Sequence, residues 1–122
     1  MAESAERGAD LIPGDEIAEL LRKVLRREVK IAAVGCSWCD TYAGNAEVRI
    51  GGYELVVFND CNQVDYIDWA KAPDGREGTF EQWDIERTEP ISLLGEHEQT
   101  LLEYYFERAP VVDEFPPRST AS

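Results

Sequence analysis

Three cysteines and the only histidine are the residues of this chain best suited to hold a metal ion. Cys36 and Cys39 form a close pair, whereas Cys61 and His97 each stand alone in the sequence. Three thiolates and one imidazole can complete a tetrahedral Zn²⁺ site. Structural zinc sites usually contain two close pairs of ligands, and only one is present here. A small zinc-binding module built on these four residues is therefore our alternative hypothesis, and we expect no other cofactor.

Carboxylates are the most distinctive feature of the sequence, and they are concentrated in its middle. Residues 31–110 contain 16 acidic and 5 basic residues, whereas residues 1–30 have a net charge of only −1. A continuous acidic surface is suited to a basic protein partner. This is our first hypothesis, and the candidate residues for that surface are Asp60, Asp65, Asp68, Asp84 and Glu86.

Two other interpretations of the acidic residues stay open. Charged side chains commonly do no more than solvate a surface. Alternatively, Asp60, Asp65, Asp68 and Asp84 could hold a hard cation, or Asp60, Asp65 and Asp68 could form a hydrolytic site if they converge in one cleft. Their spacing lacks the glycine and the final glutamate of a calcium-binding loop. We therefore assign no catalytic residue and expect a protein that is not an enzyme.

Length and charge exclude several classes of protein. The chain has 122 residues and a net charge of −13, which is typical of one acidic domain and disfavours binding to nucleic acid or to an anionic membrane. The longest aliphatic runs, 31–34 and 55–58, are far too short to span a bilayer. The first ten residues carry acids where a secretory signal carries positive charge. Together with an odd number of cysteines, these features predict a cytoplasmic protein of undetermined oligomeric state.

Helical periodicity predicts one helix near each end of the domain. The first has a single apolar face, with acidic residues at its start and basic residues at its end, as the helix dipole favours. That face comprises Ile17, Leu20, Leu21, Val24 and Leu25. The second is predicted from Thr88, as its cap, to Ala109, with Pro90 in its first turn and Gly95 allowing a separate initial turn.

The middle of the chain predicts strands. Residues 46–50 and 53–58 are rich in β-branched and aromatic side chains and flank a Gly-Gly turn. Residues 64–72 and 77–83 are predicted as a second hairpin around Pro-Asp-Gly-Arg, and a further short strand is possible at 30–34. The predicted fold is α+β, with an antiparallel sheet of about four strands packed against the N-terminal and C-terminal helices.

The predicted domain occupies residues 13–110, between flexible tails at 1–12 and 111–122. Burial of a tryptophan stabilises a fold by about 5 kcal/mol before opposing terms, so most of the tryptophans are expected in the core. They are Trp38, Trp69 and Trp83. A tryptophan left exposed among the acidic residues would be a binding hot spot.

The middle of the chain also resembles a family of short bacterial proteins of unknown function that is best represented among pseudomonads. The resemblance rests on Phe-Asn-Asp-Cys at 58–61, Asp65-Tyr66 with Asp68, Ala-Pro-Asp-Gly-Arg at 72–76, and Glu96-His97. It covers about residues 15–107 and implies a compact α+β domain in a bacterial cytoplasm. Because the family is uncharacterised, the resemblance does not indicate any activity. Relatives often carry cysteines after the Asp-Tyr pair, where this chain has Ile67 and Ala70. A metal site that used those cysteines would be missing here.

Overall fold

The computed structural model describes residues 11–41 and 43–112, which form an α+β fold of a mixed six-stranded sheet and four α-helices. The helices are α1 (Gly14–Leu25), α2 (Trp38–Thr41), α3 (Phe80–Glu86) and α4 (Glu96–Arg108), with a 3₁₀ turn at Ile91–Leu93. The strands are β1 (Ile31–Val34), β2 (Ala43–Ile50), β3 (Tyr53–Asp60), β4 (Gln63–Lys71), β5 (Glu77–Thr79) and β6 (Val111–Val112). No helix in this part of the chain is long and apolar enough to cross a membrane.

The strand order is β5-β4-β3-β2-β1-β6, and every pairing is antiparallel except that of β1 with β6. The α+β class is therefore confirmed, but the sheet has six strands and not four. The short strand predicted at 30–34 is present as β1. The sixth strand, β6, has two residues, which is too short to give any periodicity in the sequence.

The core lies between one face of the sheet and the two long helices. Alternate residues of β2 and β3 point inward and are buried, as the two-residue period of a strand requires. They pack with the apolar face of α1, whose predicted members are buried or partly buried, and with Leu102 and Phe106 of α4. Arg22 of α1 donates to Glu98 at the start of α4 over 3.1 Å, which ties the two helices together.

Both predicted hairpin turns are present. Gly51 and Gly52 have φ of 54° and 96°, so they form the two-residue turn with positive φ that matches the twist of β2 and β3. In the second turn, Gly75 has φ of 97° and donates its N–H to the Ala72 carbonyl. A third tight turn, at Cys61 and Asn62 between β3 and β4, also has positive φ at both residues, although neither is glycine.

The prediction of a strand over 77–83 was wrong after Thr79, because the chain turns into α3. The hydroxyl of Thr79 accepts the Gln82 N–H and begins the helix. Helical geometry then directs Trp83 into the core, where its indole N–H donates to the Ile12 carbonyl over 2.8 Å. The carbonyl that fixes this tryptophan lies 71 residues earlier, so no local pattern could indicate it.

The C-terminal helical region also differs from its prediction in one respect. A separate 3₁₀ turn precedes Gly95 and α4 follows it, as the position of the glycine allowed. The predicted cap, Thr88, is wrong, because its buried hydroxyl has no hydrogen-bond partner among the described residues. The neighbouring Glu89 carboxylate instead accepts the Ser92 N–H over 2.9 Å.

Both ends of the described chain join the sheet. Leu11 forms an isolated parallel bridge with Glu77, and Ile12 is completely buried. At the other end, Val111 and Val112 pair with β1. The folded domain thus includes residues 11–12 and 111–112, and the rest of the two predicted tails lies outside the described residues.

Candidate functional site

Strand β4 does not follow the alternation of an ordinary strand, because it contains two bulges. Its buried residues are Val64, Ile67 and Ala70, which recur every third position. Asp65 and Asp68 are the extra residues of these bulges, because neither has a partner on β3. The successive residues Val56 and Val57 pair with Trp69 and Ile67, and Phe58 and Asn59 pair with Tyr66 and Val64. The bulges therefore place two of the predicted acidic residues where strand pairing is interrupted.

Two carboxylates bind the backbone of β4 where no strand does. Strand β5 pairs with residues 69–71, and in the described part of the chain no strand pairs with the preceding part of β4 on that side. The Glu89 carboxylate accepts the buried Ile67 N–H over 2.8 Å, and the Glu103 carboxylate accepts the Val64 N–H over 2.9 Å. Glu89 is only 7% exposed, and this burial raises its pKa. These glutamates have a structural role, because they accept hydrogen bonds from backbone N–H groups of the irregular strand.

The face of the sheet opposite the helices carries aromatic side chains that remain partly exposed. Phe58 and Tyr66 are directly opposite each other on β3 and β4, with ring centroids 5.2 Å apart and nearly parallel planes. Phe80, at the start of α3, continues the row with its centroid 4.6 Å from that of Tyr66. We call this surface the open face, and its aromatic residues are Phe58, Tyr66, Trp69 and Phe80.

Trp69 is the one tryptophan of the three that is not buried in the core. Trp38 and Trp83 are 1% and 0% exposed, whereas Trp69 lies opposite Val56 on the open face and is partly exposed. Its indole N–H donates to a Glu77 carboxylate oxygen over 3.0 Å, which fixes the orientation of the ring on the sheet. An oriented indole with an accessible surface is a typical anchor for a binding partner.

Acidic residues outnumber basic residues on the open face. The alternation of β2, β3 and β5 assigns Glu47, Glu54, Asp60 and Glu77 to it. Within the described strands, the basic residues in register with them on this face are Arg49 and Lys71. Glu47 stands opposite Val56, in the same row as Trp69. Carboxylates and aromatic rings thus occupy neighbouring positions on one face.

The structure distributes the predicted acidic residues over two neighbouring regions. Asp60 lies on the open face at the end of β3, and Asp65 and Asp68 are the bulge residues of β4. Asp84 and Glu86 are exposed on α3. Asp84 lines a separate cleft of about 520 Å³ with four other residues: Ile85, Arg87, Glu89 and Ser92.

The candidate zinc ligands are all exposed, and they lie on different elements. Cys36 precedes α2, Cys39 lies within it, Cys61 occupies the turn between β3 and β4, and His97 is in the first turn of α4. The Cys36 sulfur is 3.4 Å from the Thr41 hydroxyl. Within residues 11–41 and 43–112, no group of three or more His, Cys, Asp or Glu is placed to hold a metal ion.

Comparison of the sequence with models of protein families assigns the chain to a family. The model of the family described as "Domain of unknown function (DUF7693)" matches residues 11–108. The chain belongs to this family. The DUF7693 match extends from the bridge at Leu11 to the last residue of α4, and so includes the open face and both long helices. No curated protein and no solved structure matches the chain.

Sequence reasoning on this DUF7693 domain missed the open face as a unit. The predicted set contains Asp60 but omits Glu47, Glu54 and Glu77, which share the open face with it. A usable signal was present, since Glu47, Glu54 and Phe58 occupy the polar or outward positions of two strands joined by a two-residue turn. Such strands must place these side chains on one face.

Proposed function

We propose that this protein is a non-catalytic binding domain whose open face binds a basic, arginine-containing segment of a partner protein. The observation that carries the proposal is the partly exposed Trp69, which lies beside the row of aromatic rings formed by Phe58, Tyr66 and Phe80 on a face that also carries carboxylates. Guanidinium groups stack on aromatic faces and pair with carboxylates, and therefore suit both components of this surface.

The rest of the molecule supports a binding role for this face. The opposite face is covered by α1 and α4, whose buried residues belong to the core. A net charge of −13 attracts cationic partners over distance and repels nucleic acid. Glu47 continues the row of Val56 and Trp69 on β2, and the Glu77 carboxylate accepts the Trp69 indole N–H, so an arginine side chain bound in this row would find a carboxylate close by.

The proposal is tested with a synthetic peptide of alternating arginine and serine, titrated into ¹⁵N-labelled protein. We expect amide shifts on β3 and β4 around Val56 and Trp69, and an affinity that falls steeply as salt rises. A lysine version of the peptide is expected to bind more weakly, because an ammonium group lacks the planar stacking surface. Shifts confined to the helical side, or an affinity independent of salt, would overturn the proposal.

Matched variants test whether peptide binding depends on the open face itself or only on the net negative charge of the protein. Trp69→Ala should weaken peptide binding about tenfold, the size expected of one desolvated cation–π contact. Tyr104→Ala is its control, because Tyr104 is an exposed ring on α4 whose face is already covered by Arg108 at 3.6 Å. For charge, Glu47→Lys is compared with Glu96→Lys, an exposed carboxylate on α4. Equal losses in both members of a pair would contradict a specific surface.

A further inference from the structure

A second surface of the protein is apolar and basic, whereas the open face is aromatic and acidic. It is a groove of about 340 Å³ at the end of α1, and its lining includes the apolar residues Val29, Ile31, Tyr105 and Pro110. The charged residues that line it, Arg27 and Lys30, are both cations. We call it the basic groove. Its volume is at the lower end of the range for small-molecule sites, about 300–1,000 Å³.

The basic groove continues beyond Pro110. A neighbouring hollow of about 330 Å³ shares Lys30, Ile31 and Pro110 with it and extends to Arg49 and to the Gly51-Gly52 turn after β2. The two hollows together offer an elongated apolar surface with cationic side chains near the shared residues. An elongated ligand with a charged head fits this arrangement better than a compact polar one.

The positive charge of the groove stands out in an acidic chain. Residues 22–30 contain five of the 12 basic residues and a single acidic residue, Glu28. The Glu28 carboxylate is already paired with Arg26 over 2.8 Å. Arg27 and Lys30 are therefore not neutralised by the acidic residue between them, and the groove keeps a cationic character.

Arg27 occupies a backbone position that would suit glycine better. It follows the end of α1 with φ of 63°, and its N–H donates to the Val24 carbonyl over 2.9 Å. The next N–H, that of Glu28, donates to the Lys23 carbonyl over 2.8 Å, which completes the usual glycine-type helix ending. An arginine in this conformation bears a steric penalty that glycine avoids. The side chain is therefore a candidate for a role that offsets the penalty.

The side chain of Arg27 is held along the groove. Its Nε donates to the Tyr105 hydroxyl over 3.2 Å, a contact that joins the end of α1 to α4. Within the described residues, the same guanidinium has no carboxylate partner. Its Nη groups remain able to bind an anion as a planar pair of donors.

We propose that the basic groove binds a small molecule with an anionic head group and an apolar body, of the kind represented by a medium-chain carboxylic acid. Arg27 and Lys30 hold the head, and Val29, Ile31 and Pro110 contact the body. The proposal rests on the apolar lining, the unneutralised cations and the conformation of Arg27. It is independent of the open face and of the partner proposed for it.

The test is a ¹H–¹⁵N titration with octanoate, with octan-1-ol and acetate as matched controls. We expect saturable shifts at Lys30, Ile31 and Tyr105 with octanoate, and affinities at least tenfold weaker for the alcohol, which lacks the charge, and for acetate, which lacks the chain. Equal binding of octanoate and octanol would overturn the assignment of Arg27 and Lys30. Absence of saturable binding, or shifts that appear on concentration of the protein alone because a second copy fills the groove, would overturn the site.

Arg27→Gly supplies a variant that loses the cation without damage to the fold. Because glycine prefers the same backbone conformation, this variant should melt at the same or a higher temperature and bind octanoate about tenfold more weakly. Arg87→Gly is the matched control, since Arg87 ends α3 with φ of 60° and lies outside the groove. It should gain stability equally and keep its affinity. Equal affinities in the two variants would overturn the role of Arg27.

Discussion

Replacement of Glu89 tests whether a buried carboxylate stabilises the irregular strand β4. Its two oxygens each accept one backbone N–H, from Ile67 over 2.8 Å and from Ser92 over 2.9 Å. Glu89→Ala leaves the Ile67 amide unsatisfied in a residue with no exposure, which costs about 1–3 kcal/mol. The Ser92 amide belongs to an exposed residue and can bind water. We expect a net loss of about 2 kcal/mol in the free energy of unfolding at pH 7.

Glu89→Gln distinguishes the charge from the shape of the side chain. Glutamine has one acceptor oxygen, so its amide group must face one of the two N–H donors. If the oxygen stays on the Ile67 amide and water serves Ser92, the loss is about 1 kcal/mol. Urea denaturation at pH 7 measures both variants, and Glu86→Gln on the exposed side of α3 is the control, with an expected change below about 0.5 kcal/mol.

The stability difference between the wild-type protein and Glu89→Gln should increase as the pH falls. Burial raises the pKa of Glu89 above its ordinary value of 4.5, so the folded state takes up a proton at a higher pH than the unfolded state does. The contribution of Glu89 to stability therefore increases as pH falls from 7 through the folded-state pKa toward 4.5, and that of glutamine does not change. The deficit of Glu89→Gln should grow over this window. A deficit that shrinks would refute the reasoning, because it would place the folded-state pKa below 4.5.

Three further substitutions test packing, ion pairing and turn geometry. Gly14→Ala should lower the free energy of unfolding by about 1–3 kcal/mol in urea denaturation, because a Cβ would collide with the Thr88 carbonyl oxygen; an unchanged midpoint would contradict the close approach. Glu16→Gln should cost about 1 kcal/mol at pH 7, because Arg76 donates to both carboxylate oxygens over 2.7 and 2.9 Å at a partly exposed site. Hydrogen bonding from Arg76 holds the pKa of Glu16 below its ordinary value of 4.5, so this stabilisation is present above pH 4.5 and the difference should disappear as pH falls through the folded-state pKa; a persistent difference would contradict it. Cys61→Asn should raise the free energy of unfolding by up to about 1 kcal/mol, and with it the thermal midpoint, because asparagine tolerates φ of 54° better than cysteine. A lower midpoint would point to a role for the thiol.

Features fixed by local chemistry could be predicted from the sequence. The apolar face of α1 requires only helical spacing, and the turn at Gly51 and Gly52 requires only residues that accept positive φ. The separate turn before α4 follows from Gly95. In each case the residues that decide the conformation lie within a few positions of one another, so a pattern in the sequence contains the cause.

Features that depend on distant partners could not be predicted. Strand β4 looks continuous in the sequence, but its bulges at Asp65 and Asp68 are supported by glutamates 22 and 39 residues further along the chain from the amides they bind. The basic groove likewise combines the end of α1 with Tyr105 of α4. Part of the open face follows from the alternation of β2 and β3, but the bulges of β4 decide the register that brings Glu47 into one row with Trp69.

The positions of the two ends of the described chain constrain how this domain can be joined to others. Leu11 lies beyond β5 at one margin of the sheet, and Val112 lies in β6 at the opposite margin. At about 4.8 Å per strand, these margins are about 25–30 Å apart. A peptide that joined Leu11 directly to Val112 would need roughly ten residues to span this width. Domains attached directly at these two residues would therefore lie on opposite flanks of the sheet.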